Sequence, residues 1–185
     1  VGGRDAPRPV AQPDEQLAML LYTSGTTGKP KGVMISHRQL FWNAINTVYA
    51  TALSPEDRVL AFLPLFHTGG LNCLATPTLY RGGTVVLMAA FDPEKALEVI
   101  ESQRITATVA VPTMYQMLLD AGLDAYDTSS LQTLLCGGAP CPDPLLDAYL
   151  DRGFVFRQGF GMTEVGPNCF SLPPSQVRLR RGTVG

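Results

Sequence analysis

The densest chemistry in the chain lies in one run, Tyr22-Thr-Ser-Gly-Thr-Thr-Gly-Lys-Pro-Lys-Gly32. The ten residues after Tyr22 hold four hydroxyl side chains (Thr23, Ser24, Thr26, Thr27), three glycines (Gly25, Gly28, Gly32) and two of the chain's three lysines (Lys29, Lys31). Glycine lets successive backbone N–H groups turn toward one anion. The hydroxyls add donors and the lysines add positive charge, so the loop suits a polyphosphate. It is not a Walker A loop, which needs glycine five residues before the Gly-Lys pair and Ser or Thr after it. Here those places are Thr23 and Pro30, and proline has no hydroxyl to offer Mg²⁺. GTPase-like and kinase-like P-loop chemistry is therefore disfavoured. Apolar segments enter and leave the loop, which argues against a free surface loop.

Three further segments carry candidate site residues. Gln158-Gly-Phe-Gly-Met-Thr-Glu164 combines a flat aromatic, a hydroxyl and a hard carboxylate. An aromatic face suits a purine, and a carboxylate suits Mg²⁺. Leu134-Leu-Cys-Gly-Gly-Ala-Pro140 ends an apolar run in a glycine pair, which permits close backbone approach to a ligand. Pro64-Leu-Phe-His-Thr-Gly-Gly70 sets a histidine between an apolar run and two glycines. By itself His67 fits a site residue and a structural hydrogen-bonding residue equally well.

The first run resembles the signature loop of the AMP-forming adenylating enzymes, the superfamily of acyl-CoA synthetases, luciferases and nonribosomal peptide synthetase adenylation domains. The other three segments resemble later motifs of that superfamily, in the same order. The resemblance runs from about Leu17 to Gly185 and implies a middle section of the large N-terminal domain. It implies that Thr23, Ser24, Gly25, Thr26, Thr27, Gly28 and Lys29 hold the β- and γ-phosphates of ATP. It places Gly138, Ala139, Pro140, Gln158, Gly159, Phe160, Gly161, Met162 and Thr163 around the rest of the nucleotide. Phe160 would stack on adenine, Thr163 would bond the α-phosphate, and Glu164 would hold Mg²⁺. Phe160 stands where the superfamily usually has tyrosine, so stacking survives and the phenolic hydrogen bond does not. His67, Gly137, Gly138 and Gly161 would line the acid. Thr163, Glu164, Lys31 and His67 form the expected catalytic set.

The resemblance also bears on the substrate. Amino-acid-activating relatives carry Asp after the phenylalanine, to pair with the substrate ammonium; His67 cannot supply that charge. A plain carboxylic acid is expected, with the Phe-His-Thr-Gly-Gly form closest to fatty-acyl-CoA synthetases. The implied reaction is acyl-AMP formation from ATP with release of pyrophosphate, then thioester formation with coenzyme A. Two alternatives stay open. One is an adenylating ligase with an aryl-acid substrate or a carrier-protein acceptor; the other is a nucleotide-binding module without catalysis.

These motifs need elements to hold them. Leu17–Tyr22 reads as a buried strand and Val33–Ile35 as the next. Ser36 reads as the cap of a helix over about His37–Leu53, with Leu40, Phe41, Ala44, Ile45, Val48 and Tyr49 on its apolar face and Trp42 packed on that helix. Strands are expected at Arg58–Leu63, Thr84–Met88, Thr106–Val111, Leu131–Leu135 and Phe154–Arg157. Helices are expected over Thr68–Tyr80, from the Asp92-Pro93 start, and over Pro112–Leu119 and Pro144–Leu150. Strands alternating with helices predict an α/β class: a layered, mostly parallel sheet with flanking helices. Arg178 and Arg180 alternate with Val177 and Leu179, as in a strand with one wet face.

Composition bounds the rest. At 185 residues, 45% hydrophobic and 16% charged, the chain can build a core. A net charge of −2 argues against nucleic acid and anionic membranes. No apolar stretch approaches the roughly 20 residues of a membrane span. Cys73, Cys136, Cys141 and Cys169 form no Cys-x-x-Cys pair, which disfavours zinc and points to reduced thiols in a cytoplasmic protein. Residues 1–16 read as a linker or preceding segment, and 17–185 as a partial AMP-binding domain. The ribose-binding Asp, the hinge and the C-terminal domain with its Lys are expected outside this chain, so a fragment incompetent on its own is expected. Oligomeric state is not legible here.

Overall fold

A computed structural model describes residues 10–24 and 28–184. Gly25, Thr26 and Thr27 of the phosphate-type loop lie outside the described residues.

Strands β1 (Leu17–Thr23) and β2 (Lys31–Ser36) form an antiparallel pair of their own. This corrects one expectation. Leu17–Tyr22 is not a buried strand of the main sheet; only Leu21 is buried, while Leu20 and Tyr22 are exposed. A continuous apolar run has no period from which to read which face is covered.

Helix α1 (His37–Thr51) follows directly, with Ser36 Oγ accepting from the Gln39 amide at 3.2 Å. The segment ahead of β1 supports the same helix end: the His37 and Arg38 amides donate to Gln16 and Asp14 carbonyls at 3.1 and 2.8 Å. Ser36→Ala should cost about 1 kcal/mol in a denaturation experiment, the usual loss for a capping hydroxyl. The helix is less apolar in contact than its sequence implied. Ala44 and Thr47 are its buried residues. Trp42 is half exposed and meets Phe41 edge-on at 5.4 Å, rather than packing into the core.

The main sheet holds β3 (Arg58–Ala61), β4 (Thr84–Leu87), β5 (Ala107–Ala110), β6 (Thr133–Cys136), β7 (Phe156–Met162) and β8 (Gly166–Ser171), in the order β4-β3-β5-β6-β7-β8. The first five are parallel, and β8 runs antiparallel at the edge. Helices α2 (Thr68–Leu71), α3 (Ala75–Arg81), α4 (Pro93–Ser102), α5 (Pro112–Asp120) and α6 (Asp143–Asp151) make the crossovers. The expected α/β class with a mostly parallel sheet is what the chain forms. Asp92 caps α4 through Oδ1 to the Lys95 amide at 3.0 Å, as the Asp-Pro start predicts.

Alternation along the strands sends side chains to two cores. Leu60, Leu134 and Cys136 join Leu97, Ile100, Tyr115 and Tyr149 under α4, α5 and α6. Val59, Ala107, Val109 and Leu135 join Leu53, Cys73 and Leu74 on the other face. Burial on both faces is what a parallel sheet requires. Among the described residues, no helix is long and apolar enough to cross a membrane.

Two regions differ from the sequence reading. Phe154–Arg157 is not a short last strand: β7 runs on through the Gly-Phe-Gly-Met motif and turns into β8. The Val177–Arg180 segment is not a strand but follows a 3-10 turn at Pro174–Gln176. Arg178 and Arg181, three apart, reach α6: Arg178 pairs with Asp151 at 2.6 Å and Arg181 with Asp147 at 2.6 Å.

Candidate active site

The order of the parallel strands places a switch between β3 and β5. The chain leaves β3 toward β4, then returns across β3 to build β5, β6 and β7. Loops beyond the carboxyl ends of neighbouring strands diverge there and open a crevice. A cavity of about 350 Å³ occupies this place. Phe66, His67, Thr68 and Gly69 after β3 form one wall; Gly137 and Gly138 after β6, with Gly159 and Gly161 of β7, form another. Buried Cys73, Val109, Leu135 and Cys136 contribute further lining. Among the described residues, no Asp, Glu, Lys or Arg lines the cavity, and His67 contributes an imidazole.

Each wall has a local cause. The β6 strand ends at Cys136 because Gly137-Gly138 follows, and Gly138 takes φ +81°. Gly161 faces the backbone of β8: a Cβ there would lie 2.1 Å from the Pro167 carbonyl oxygen. His67 caps the short helix α2, its Nδ1 accepting from the Gly69 amide at 3.0 Å. A ring accepting at Nδ1 carries its proton at Nε2 when neutral. His67 therefore has a structural bond and a place on the cavity wall together.

Burial pushes the Cys73 thiol up to about 12, opposed by its hydrogen bond to Asn168. It is a neutral wall residue, not a nucleophile. All four cysteines are free thiols, as the sequence implied.

Thr163 and Glu164 sit in the turn between β7 and β8. Thr163 lines a smaller cleft with Gln39, Asn43, Thr68 and Pro167, and Thr68 and Pro167 also line the main cavity. The two spaces adjoin. Glu164 is exposed, and the described residues contain no group of three or more His, Cys, Asp and Glu able to hold a metal. One free carboxylate suits a Mg²⁺ ion that takes its other ligands from phosphate oxygens and water. The residues fit a magnesium–nucleotide complex rather than a resident metal.

Other expected site residues fall in different places. Phe160 is half exposed and tilts against Phe170 at 5.8 Å, outside the cavity lining. Gln158 is buried, and its Oε1 accepts from the Cys141 amide at 3.3 Å. Its observed work is to tie the Gly137–Cys141 loop to β7. Ala139 and Pro140 are exposed on that loop. Thr23 and Lys31 pair at the loop end of the β1–β2 hairpin, with Ser24, Gly28 and Lys29 exposed beyond them. Among the described residues, none of this loop lines the cavity.

Sequence reasoning did not select Cys73, Val109 and Leu135 of the lining, nor Asn168. Val109 and Leu135 stand near the carboxyl ends of β5 and β6, where such a crevice forms, and that position was a usable signal. Asn168 carried none. Its Nδ2 donates to Thr47 Oγ1 and to the Cys73 carbonyl, both at 2.9 Å.

A crevice at a strand-order switch, walled by glycine-rich turns, is the usual place for a ligand in an open α/β sheet. The model of the AMP-binding enzyme family matches residues 2–185, and the chain belongs to that family. It is 45% identical over 172 residues to the feruloyl-CoA synthase of an Amycolatopsis species, covering 92% of this chain and 35% of that protein. It is 40% identical over 168 residues to the indoleacetate–CoA ligase of Aromatoleum aromaticum, covering 90% and 33%. The o-succinylbenzoate coenzyme A synthetase of Bacillus subtilis, solved with ATP and magnesium ion, superposes with a TM-score of 0.83 at 33% identity, covering 98% of this chain and 38% of that one. The chain thus spans about a third of the length of these curated relatives.

Proposed function

We propose that the polypeptide carrying this chain activates a carboxylic acid with ATP and transfers the acyl group to coenzyme A. The carrying observation is the uncharged crevice adjoining the cleft of Thr163, with Glu164 next in the same turn. An acid placed in the crevice has its carboxylate near His67, Thr68 and the Gly137–Gly138 backbone, and no acidic side chain to repel it.

In the first step a carboxylate oxygen attacks the α-phosphorus of ATP. The bond from that phosphorus to the α,β-bridging oxygen breaks, and pyrophosphate leaves. The chain's contribution is positioning and charge. Thr163 is suited to hydrogen-bond the α-phosphate, Glu164 to hold the cation, and Ser24, Lys29 and the glycine-rich loop to hold the outer phosphates. The Mg²⁺ chemistry expected there is neutralisation of phosphate charge. In the second step the thiol sulfur attacks the acyl carbonyl, and AMP leaves with the acyl–oxygen electron pair.

The acid is proposed to be compact and aromatic. A fatty chain was the expectation from the Phe-His-Thr-Gly-Gly form. Three considerations favour an aryl acid instead. The cavity is small, near the lower end of the range of ligand pockets. Its lining carries Phe66, whose ring suits an aromatic partner. The named relatives act on feruloyl, indoleacetate and succinylbenzoate groups. A panel of cinnamic, arylacetic and straight-chain acids, with acyl-CoA product read by mass spectrometry, tests this. Aryl acids should exceed a sixteen-carbon acid by about tenfold or more in kcat/KM, the scale of pocket-fit discrimination. The reverse order would return the reading to fatty acids.

Phe160→Tyr should leave adenylation within about twofold, because stacking area is kept and Phe160 is half exposed. A severe loss in the same assay would mean that adenine does not lie on this ring.

A further inference from the structure

One face of helix α1 carries polar residues at Gln39, Asn43 and Thr47, four apart, so they lie in one row. The chain of the β7–β8 hairpin answers at Glu164, Gly166 and Asn168, two apart. Gln39 Nε2 donates to the Glu164 carbonyl oxygen at 2.7 Å. Asn43 packs against Gly166 so closely that a Cβ there would be 2.9 Å from its Oδ1, and Gly166 holds φ +108°. Asn168 Nδ2 donates to Thr47 Oγ1 at 2.9 Å. Four helical residues advance about 6 Å. Two strand residues advance about 6.6 Å. From Gly166 to Asn168 the two rows stay in step, and the turn before β8 brings Glu164 to Gln39. The Asn43 amide also donates to the Asn72 carbonyl oxygen at 2.8 Å, which fixes the middle of the helix to the segment after α2.

The Gln39 end of this row is also the end next to the strand that leaves the phosphate-type loop. Ser36 caps α1 and is also the last residue of β2, whose first residue is Lys31. One helix thus joins the loop strand to the turn bearing Thr163 and Glu164. We propose that the first turn of α1 ties the end of β2 to the Glu164 turn, and that Gln39 is the positioning residue of that tie. Gln39 touches the backbone of the turn and not the reacting atoms. Its effect on the reaction passes through the Glu164 carboxylate, so this inference rests on the adenylation reading.

The test uses Gln39→Met and Gln39→Ala in the full polypeptide. Methionine keeps the length and helix propensity of glutamine and lacks its N–H donor. Alanine is the second variant should methionine pack poorly. Amide hydrogen exchange of the free protein should speed up about fivefold across Thr163–Asn168 in both variants, the factor for one lost hydrogen bond. Exchange in β5 and β6 should not change. Mn²⁺ affinity with a non-hydrolysable ATP analogue should fall roughly tenfold, as for other outer-sphere partners of a metal ligand. The half-saturating Mg²⁺ for ATP–pyrophosphate exchange should rise in step, with the KM for the acid unchanged. Wild-type exchange at the turn and wild-type metal affinity in the methionine variant would overturn the proposal. So would equal acceleration in β5 and β6, which would mean general loosening. Failure of the adenylation reading is a different result: the wild-type protein itself would then show no acid-dependent exchange.

Discussion

Gly161→Ala should reduce acyl-adenylate formation by about 100-fold or more. The Cβ would meet three backbone atoms of Pro167, at 2.1, 2.3 and 2.5 Å. No side-chain rotation relieves that, so β8 must move away from β7. The shift would carry Pro167 and Asn168, which line the cavity, and would strain the turn with Thr163. A displacement of about 1 Å at reacting groups is enough for a loss on the 100-fold scale. The thermal midpoint should fall as well, because the β7–β8 pairing from Gly159 to Met162 is disturbed. Steady-state ATP–pyrophosphate exchange and a melting curve on the same preparation check both parts. An alanine variant with near-normal exchange would show that β8 is not held where the site needs it.

Glu164→Ala should give a loss of similar size by another route. Glu164 is exposed, and no side-chain hydrogen bond of its carboxylate is present in the described structure. Its removal should therefore change stability by less than about 0.5 kcal/mol. Adenylation should fall about 100-fold or more, because the carboxylate proposed to hold the cation on the phosphates is gone. Raised Mg²⁺ should recover part of the rate. The contrast separates the two variants: Gly161→Ala loses stability and rate, whereas Glu164→Ala loses rate alone. Wild-type exchange in Glu164→Ala would remove this carboxylate from the site.

Much of the architecture was legible because its signals are local. Ser36 and Asp92 each announce a helix start through a side chain that caps an amide three residues on. The strand runs from Val59 to Leu135 read correctly because a parallel sheet buries both faces, leaving apolar runs without alternation. The glycine motifs were visible because tight backbone approach admits little else. What failed was non-local. The β1–β2 pair has an apolar run like the core strands, and only its place outside the main sheet leaves Leu20 and Tyr22 exposed. The β8 strand, Gly-Pro-Asn-Cys-Phe-Ser, carries Gly and Pro that ordinarily argue against a strand, and an edge position tolerates them. The alternation of Arg178 and Arg180 mimics a strand, although it is Arg178 and Arg181 that pair with Asp147 and Asp151 on α6. Of the cavity lining, His67, Gly137, Gly138, Gly159 and Gly161 were named from sequence as candidates. The cavity lining from Cys73, Val109 and Leu135 was not, because three distant segments compose it.

The proposed reaction of an acid with ATP falls in the crevice beyond β3, β5 and β6. ATP–pyrophosphate exchange by the full polypeptide with Mg²⁺, in the presence and absence of each acid of the panel, tests it most directly. The account predicts exchange that requires an added acid, strongest with a compact aromatic one, and independent of coenzyme A. A folded protein that binds ATP yet exchanges no pyrophosphate with any acid would contradict it, and would make this domain a nucleotide-binding module without catalysis.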